Sequence, residues 1–213
     1  MRIAQAGWVV IARGLIGAAA GFLLSQWPEF RTGGQIVAAA GVVFALFAAY
    51  FFRDPDRPLP GDLLRIYSPG DGRVLTIAHE GPGHELTVRI FLSVFNVHFQ
   101  RAPCAGTVRK AEYCRGGFRA AMNPKARGNE RCVLHLVPEG RDRALVVEQI
   151  AGIIARRIEC WVGEGDRILA GERYGMIHFG SQVAVTLPVN TRMLVSPGDR
   201  VYAGVTPIAE WTS

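Results

Sequence analysis

The sequence predicts a mostly β protein that begins with a helical membrane hairpin. Residues 1–52 contain two long apolar runs, whereas the residues after 63 form short alternating stretches separated by Gly, Pro and Asp turns. A turn motif that recurs within this second part indicates a biotinyl/lipoyl-like barrel-sandwich. We therefore divide the chain into a membrane-anchoring hairpin (1–52), a Pro-rich linker (53–62) and a β-rich domain (63–213).

The two apolar runs cover residues 7–27 and 36–52, and Arg13 is their only charged residue. The polar loop PEFRTGGQ joins them. At about 1.5 Å per helical residue the second run spans roughly 26 Å, close to the ~30 Å hydrocarbon core of a bilayer. Aromatic residues lie near the run ends, where membrane proteins place aromatic belts. We expect a membrane hairpin, with two helices lying on the bilayer surface as the alternative.

The arginines flanking these runs predict the orientation of the hairpin. Arg2 precedes the first run, and Arg53, Arg57 and Arg65 follow the second, whereas the loop carries one arginine offset by Glu29. Cytoplasmic flanks are enriched in Lys and Arg, so both termini are expected in the cytoplasm. The predicted location is the cell (inner) membrane, with the β-rich domain facing the cytoplasm.

Between the two parts, the segment FRDPDRPLP (52–60) has three prolines in six residues and is predicted to be a stiff linker. Beyond it, a Gly-Asp turn followed by a short strand and a glycine occurs at 163–171 and again at 196–204, with a fainter copy at 68–74. This pattern is typical of the hairpins of a barrel-sandwich. Neither of the two lysines lies in the repeats, so a lysine-carrier function is not expected.

Composition narrows the class of partner. The chain has 24 basic against 18 acidic residues, and all the basic residues except Lys110 and Lys125 are arginines. Guanidinium groups suit phosphate or carboxylate partners, including lipid headgroups; a compositional habit of the source genome is the alternative. No basic run is interleaved with aromatics, so nucleic acid is not an expected partner. The cysteines show neither Cys-x-x-Cys pairs nor metal-ligand spacing, so we predict free thiols and no metal site.

The candidate nucleophile is Ser181, which follows Gly180 at the start of a predicted strand. Residues 182–187 alternate, with Val183, Val185 and Leu187 on one face. A serine at a strand mouth, preceded by a glycine that permits close approach, suits attack on an external carbonyl or on the Gly180 carbonyl itself. A plain Gly-Ser turn is the alternative.

His98 and Asp71 are the candidate partners of the serine. His98 lies at the polar edge of the predicted strand 91–100, where an ordinary hydrogen-bonded histidine is the alternative. Asp71 occupies a Pro-Gly-Asp-Gly turn, where aspartate commonly bonds its own backbone.

Four segments in order resemble the phosphatidylserine decarboxylase family, in its short, pyruvoyl-dependent form, with archaetidylserine decarboxylase-like members included. They are FFRDPDRP (51–58), SPGDG (68–72), FLSVFNVH (91–98) with RAP (101–103), and GMIHFGS (175–181). The resemblance covers essentially the whole chain, and four ordered motifs are far more specific than any one of them.

The resemblance implies a proenzyme that cuts itself. Ser181 would attack the Gly180 carbonyl, giving a β chain (1–180) and an α chain (181–213) that begins with a pyruvoyl group derived from the serine. His98 would act as general base and Asp71 would orient its ring. The pyruvoyl group would form a Schiff base with phosphatidylserine, without pyridoxal phosphate (PLP) or a metal. The implied partners are phosphatidylserine, the lipid bilayer and the α–β heterodimer, with higher oligomers left open.

Two positions depart from the family pattern. Long-form members carry a second histidine three places after the position of His98, where this chain has Arg101. Short-form members commonly carry arginine two places before the position of Gly180, where this chain has His178. Both residues are candidate headgroup contacts, and His178 is also a candidate acid or base.

Three alternatives remain at this point. An archaetidylserine decarboxylase would use the same chemistry on another lipid. A membrane-tethered Ser-His-Asp hydrolase would use Asp71, His98 and Ser181 in the same order, although the chain lacks a Gly-x-Ser-x-Gly elbow. A lipoyl-like membrane adaptor would leave Ser181 unmodified.

Overall fold

A computed structural model describes residues 2–80, 85–153, 157–178 and 180–212, and for residues 124 and 125 it describes the backbone alone. The chain divides into two compact units, Met1–Asp56 and Arg57–Ser213. With 38% strand and 23% helix, the predicted mostly β class is confirmed. Residues 55–62, within the predicted linker, form neither helix nor strand.

The first unit is a helical hairpin, as predicted. Helices α1 (Gln5–Leu24) and α2 (Arg31–Phe51) are joined through a 3-10 turn (Pro28–Phe30), and the short strands β1 (Arg2–Ile3) and β2 (Arg53–Asp54) pair antiparallel at its base. The connecting loop is shorter than the predicted PEFRTGGQ because α2 already begins at Arg31.

Glycine packing brings the two helices of the hairpin into close contact. A β-carbon on Gly34 would lie 2.8 Å from the Ser25 Cα, and one on Gly14 would lie 2.9 Å from the Ala45 nitrogen. Such approaches exclude any side chain, so these glycines let the helical backbones touch. Gly34 therefore serves as a packing position inside the helix.

The outward faces of the hairpin are apolar. Segments Gln5–Leu24 and Pro28–Phe51 have mean hydropathies of 1.8 and 1.9 and are only 17% and 22% buried. By length and composition both are able to cross a membrane.

The second unit holds the remaining strands. In chain order they are β3 (Arg65–Tyr67), β4 (Gly72–His79), β5 (Leu86–Leu92), β6 (Phe99–Arg101), β7 (Gly106–Cys114), β8 (Arg131–Pro138), β9 (Leu145–Ile150), β10 (Ile158–Cys160), β11 (Arg167–Ile168), β12 (Arg173–Ile177), β13 (Ser181–Leu187), β14 (Thr191–Met193), β15 (Arg200–Val201) and β16 (Pro207–Trp211).

Eight of these strands form one antiparallel sheet in the order β11-β7-β8-β9-β13-β5-β4-β15, which curls into a half barrel. Two three-stranded sheets, β10-β12-β6 and β14-β16-β3, complete the unit. Alternate residues of the central strands, such as Ile90 and Val183, fill the main core. Strand β13 lies between β9 and β5. Its first residue, Ser181, therefore lies in the interior of the sheet and not at an edge.

The predicted turn repeat is also a structural repeat. In the first copy the Gly165 nitrogen donates to the Val108 carbonyl, and the Val108 nitrogen donates to the Asp166 carbonyl. In the second copy the Gly198 nitrogen donates to the Val74 carbonyl, and the Val74 nitrogen donates to the Asp199 carbonyl. A β-carbon on the last glycine of the second copy, Gly204, would lie 3.0 Å from the Cα of Gly171, the last glycine of the first. The two copies therefore pack against each other.

Candidate active site

Ser181 is the first residue of β13 and is completely buried. It is paired with Leu92 of β5, and the next residue, Gln182, is paired with Ile150 of β9. Its hydroxyl has no hydrogen-bond partner among the described residues. A buried polar group left in this state costs about 1–3 kcal/mol, so it calls for an explanation other than stability.

Gly180 precedes the serine with a φ of 66°, in the left-handed region that residues with a β-carbon rarely adopt. This backbone shape accounts for the glycine. It turns the chain immediately before the strand, so that the Gly180–Ser181 peptide lies at the strand mouth, as the sequence predicts.

The predicted strand 91–100 is interrupted, because β5 ends at Leu92 and β6 begins at Phe99; His98 lies in the turn between them and contacts the N–H group of Gly180. Its ring is completely buried, and its Nε2 accepts the Gly180 N–H at 3.3 Å. Its Nδ1 lies 3.0 Å from the Asn96 carbonyl oxygen, which can only accept. Nδ1 therefore carries the ring proton and Nε2 has a lone pair, which is the tautomer that a general base requires.

Asn96 is itself held in place, and sequence reasoning missed it. Its side-chain oxygen accepts bonds from the Ser93 nitrogen at 2.9 Å and the Ser93 hydroxyl at 2.8 Å. This local Ser-x-x-Asn turn fixes the carbonyl that contacts His98. The pattern is visible in the sequence, although nothing in it points to a histidine two residues later.

Asp71 lies in a second cluster. Arg57 donates to its two oxygens at 2.7 and 2.8 Å, and the Ala203 nitrogen donates to it at 2.8 Å. The Asp71 turn borders the strand after His98, because the Arg101 nitrogen donates to the Pro69 carbonyl at 2.9 Å. The carbonyl oxygen that contacts His98 Nδ1 belongs to Asn96. The role of Asp71 in orienting the His98 ring stays a prediction.

His178 is mostly buried and is anchored by Glu159, whose Oε1 lies 3.1 Å from His178 Nε2. Arg157 lies 3.1 Å from the same carboxylate oxygen, and its carbonyl accepts the His178 N–H at 3.0 Å. Burial lowers the pKa of His178 below its usual value, and Glu159 opposes part of that shift. The residue is thus fixed two positions before Gly180, and its contact with substrate stays a prediction.

Arg101 is buried at the paired turn repeats. Its Nη1 donates to the Gly171 carbonyl at 2.9 Å, and a β-carbon on Gly204 would lie 3.0 Å from its Cδ. These contacts give Arg101 a structural role between the repeats, and a headgroup contact stays a prediction.

No group of three His, Cys, Asp or Glu side chains in the described part of the chain is arranged to hold a metal ion. All four cysteines are free thiols. The site therefore consists of a buried serine hydroxyl, the preceding glycine peptide and a neutral imidazole. A hydroxyl, a carbonyl and a base in one place can carry out acyl transfer.

The sequence matches the model of the phosphatidylserine decarboxylase family over residues 44–209. It is 44% identical to a phosphatidylserine decarboxylase proenzyme of Symbiobacterium thermophilum, over 97% of this chain and 94% of that protein. Proteins of the same name from Syntrophus aciditrophicus and Burkholderia multivorans are 41% and 38% identical, over 93% and 98% of this chain and 92% and 95% of their own length.

Proposed function

The chain belongs to the phosphatidylserine decarboxylase family of carboxy-lyases, and from this premise we propose that it is a self-cleaving precursor that decarboxylates phosphatidylserine to phosphatidylethanolamine. One observation carries the proposal. The unprotonated Nε2 of buried His98 lies 3.3 Å from the Gly180 nitrogen, and the hydroxyl of the next residue, Ser181, has no hydrogen-bond partner among the described residues.

In the first step the Ser181 oxygen bonds to the Gly180 carbonyl carbon and the peptide C–N bond breaks. His98 Nε2 takes the hydroxyl proton and returns it to the nitrogen of residue 181, which leaves as an amine. The two parts of the chain are then joined through an ester. This assignment needs a base with a lone pair next to Ser181. The tautomer fixed by Asn96 gives Nε2 that lone pair, which must exchange the Gly180 N–H for the serine hydroxyl when attack begins.

In the second step, loss of the α-proton of residue 181 expels the Gly180 carboxylate. Water then replaces the nitrogen, which departs as ammonia, and a pyruvoyl group remains at the start of the α chain. That group supplies the electron sink for release of carbon dioxide from an amino acid headgroup. The Ser181 position fits it, because the serine oxygen is buried and forms no competing hydrogen bond within the part of the chain that the structure describes.

The sheet supports a stable heterodimer of the α chain (181–213) and the β chain (1–180). Strand β13, in the α chain, pairs along its whole length with β5 and over five residues with β9, both in the β chain. Strand β16 of the α chain also pairs with β3 of the β chain. One peptide bond can therefore be cut while these backbone ladders hold the parts together.

The burial of Ser181 favours self-cleavage over the hydrolase alternative. With no exposed surface, the hydroxyl is out of reach of an external acyl group but adjoins its own peptide bond. Cleavage frees the end of the chain at Gly180, which we propose gives the substrate access to position 181. The hairpin would anchor the protein in the cell membrane, with the second unit on the cytoplasmic side.

Intact mass measurement of the purified full-length protein tests the proposal. We expect two chains separated between Gly180 and Ser181, the smaller lighter than unmodified 181–213 by the mass of one ammonia. The Ser181→Ala variant should stay a single chain and release no carbon dioxide from vesicles containing phosphatidylserine. A wild-type protein that remains one chain and still decarboxylates this lipid would contradict the mechanism.

A further inference from the structure

Gly152 lies directly against the carbonyl group of Gly180. A β-carbon at position 152 would lie well within 3.0 Å of the Gly180 oxygen and 3.1 Å from its carbon. Its φ lies outside the left-handed region, so its backbone would accept alanine without strain. Glycine is therefore required at 152 by the neighbouring carbonyl and not by its own conformation.

The register of the sheet explains this contact. Ile150 of β9 is paired with Gln182 of β13, and the strands are antiparallel. Continuing the same register by two residues past the end of β9 places Gly152 opposite Gly180. The scissile carbonyl thus meets the extension of the neighbouring strand.

A buried asparagine holds this extension in place. The Asn129 side-chain nitrogen donates to the Ala151 carbonyl at 2.7 Å and to the Arg119 carbonyl at 2.8 Å, and its oxygen accepts the Arg119 N–H at 2.9 Å. The Ala151 nitrogen also donates to the Glu130 carbonyl at 2.9 Å. Because Ala151 is held at both its N–H and its carbonyl, the backbone leading into Gly152 is fixed, and a methyl group at 152 would displace the Gly180 carbonyl.

We propose that Gly152, held by Asn129, is a positioning residue for self-cleavage: it sets the orientation of the Gly180 carbonyl for attack by Ser181. This inference rests on the proposed function and adds Gly152 to the residues of the cleavage site. A shift of about 1 Å in a reacting group can cost about 10²-fold in rate. Gly152→Ala should therefore slow cleavage by about that factor.

Gly106→Ala is a matched control. A β-carbon on Gly106 would likewise crowd a backbone carbonyl group, lying 2.9 Å from the Val137 carbon. Gly106 is in β7, three positions from β13 in the sheet. We expect both variants to melt at a lower temperature than an uncut Ser181→Ala precursor, and only Gly152→Ala to accumulate uncut chain.

Hydroxylamine separates positioning from a later defect, because it cleaves esters at neutral pH. If Gly152 acts on the attack, Gly152→Ala forms little ester, and hydroxylamine leaves it uncut. An uncut Gly152→Ala chain that hydroxylamine does cleave would overturn the inference, since attack would then have occurred. Equal cleavage of Gly152→Ala and wild type, or equal slowing by Gly106→Ala, would also overturn it.

If Gly152→Ala is insoluble, Asn129→Asp tests the same support. The aspartate keeps the acceptor for the Arg119 N–H and loses the donor to the Ala151 carbonyl. We expect slower cleavage in a folded protein, and a folded Asn129→Asp variant that cuts at the wild-type rate would overturn the inference. An uncut wild-type chain, in contrast, would count against the proposed function itself.

Discussion

Two neighbouring residues of β13 differ in how their polar atoms are satisfied. Gln182 uses both ends of its amide: Arg89 donates to its oxygen at 2.8 Å, and its nitrogen donates to the Ala121 carbonyl at 3.2 Å. The equally buried hydroxyl of Ser181 has no partner among the described residues. Because successive residues of a strand point to opposite faces, one face is stabilised by a polar network and the other exposes a reactive group to the interior. We propose that stability and chemistry are separated by one residue.

The largest expected effect on the rate of self-cleavage comes from replacing His98, the proposed general base. A general base contributes about 10²–10⁴-fold, and glutamine can occupy the site of His98 without taking a proton. His98→Gln should therefore fold and cut itself slower by that factor, as measured by the fraction of uncut chain over time. If His98→Gln retains the wild-type circular dichroism spectrum and cuts at the wild-type rate, the base is another group, and His178 is the next residue to replace.

Asp71→Asn should have a smaller effect than His98→Gln, below about 10²-fold. Its partner in the structure is Arg57, and the proton on His98 Nδ1 is already held by the Asn96 carbonyl. The control is Asp199→Asn, which alters the same Pro-Gly-Asp turn in the second repeat. Should Asp71→Asn slow cleavage as much as His98→Gln, with Asp199→Asn unaffected, the aspartate orients the imidazole as the sequence predicts.

Local sequence patterns predicted part of this structure and left contacts between distant residues unpredicted. Alternation, apolar runs and the Gly-Asp repeat predicted the β-rich unit, the helical hairpin and the position of Ser181 at a strand mouth, because each is a local pattern. The Arg57–Asp71 pair and the Gly152–Gly180 contact escaped prediction. Both join residues brought together by the folded chain, and no local period encodes such contacts.

The stabilising side of the comparison is tested by Arg89→Met. Arg89 lies 2.7 Å from Glu80, and both side chains are less than a tenth exposed. Removing one partner of a buried pair typically costs about 3–5 kcal/mol; we expect the lower end, because Arg127 also contacts Glu80. The free energy of unfolding is best measured in the uncut Ser181→Ala background, where a single chain unfolds.

The matched control is Arg192→Met. Arg192 pairs with Glu210 but is 67% exposed, so its loss should cost about 0–1 kcal/mol. With Ser181 restored, the Arg89→Met protein should still cut itself at the wild-type rate under conditions where it is folded. A loss of cleavage with unchanged stability would instead join the Gln182 network to the chemistry, and the separation of the two faces would be wrong.

The smallest expected effect is a dependence of stability on pH through His178, beside the cleavage site. Burial lowers the pKa of His178, so its folded-state pKa lies below the unfolded value of about 6.5. Between those two values the unfolded chain binds more protons, so the stability contributed by the neutral ring is present above pH 6.5 and is lost as the pH falls through the folded pKa.

The measurement is the free energy of unfolding in the Ser181→Ala background at pH 7.5 and at pH 5.5, roughly one pH unit on either side of the unfolded pKa. The fall in this free energy between the two pH values should be smaller when His178→Gln is added. His79→Gln, which replaces an exposed histidine, serves as the comparison variant. If His178→Gln gives the same pH dependence as its parent, burial and the bond to Glu159 cancel in the pKa of His178, and the prediction is wrong; a larger fall in the variant would mean that the ring is held as a charged partner of Glu159.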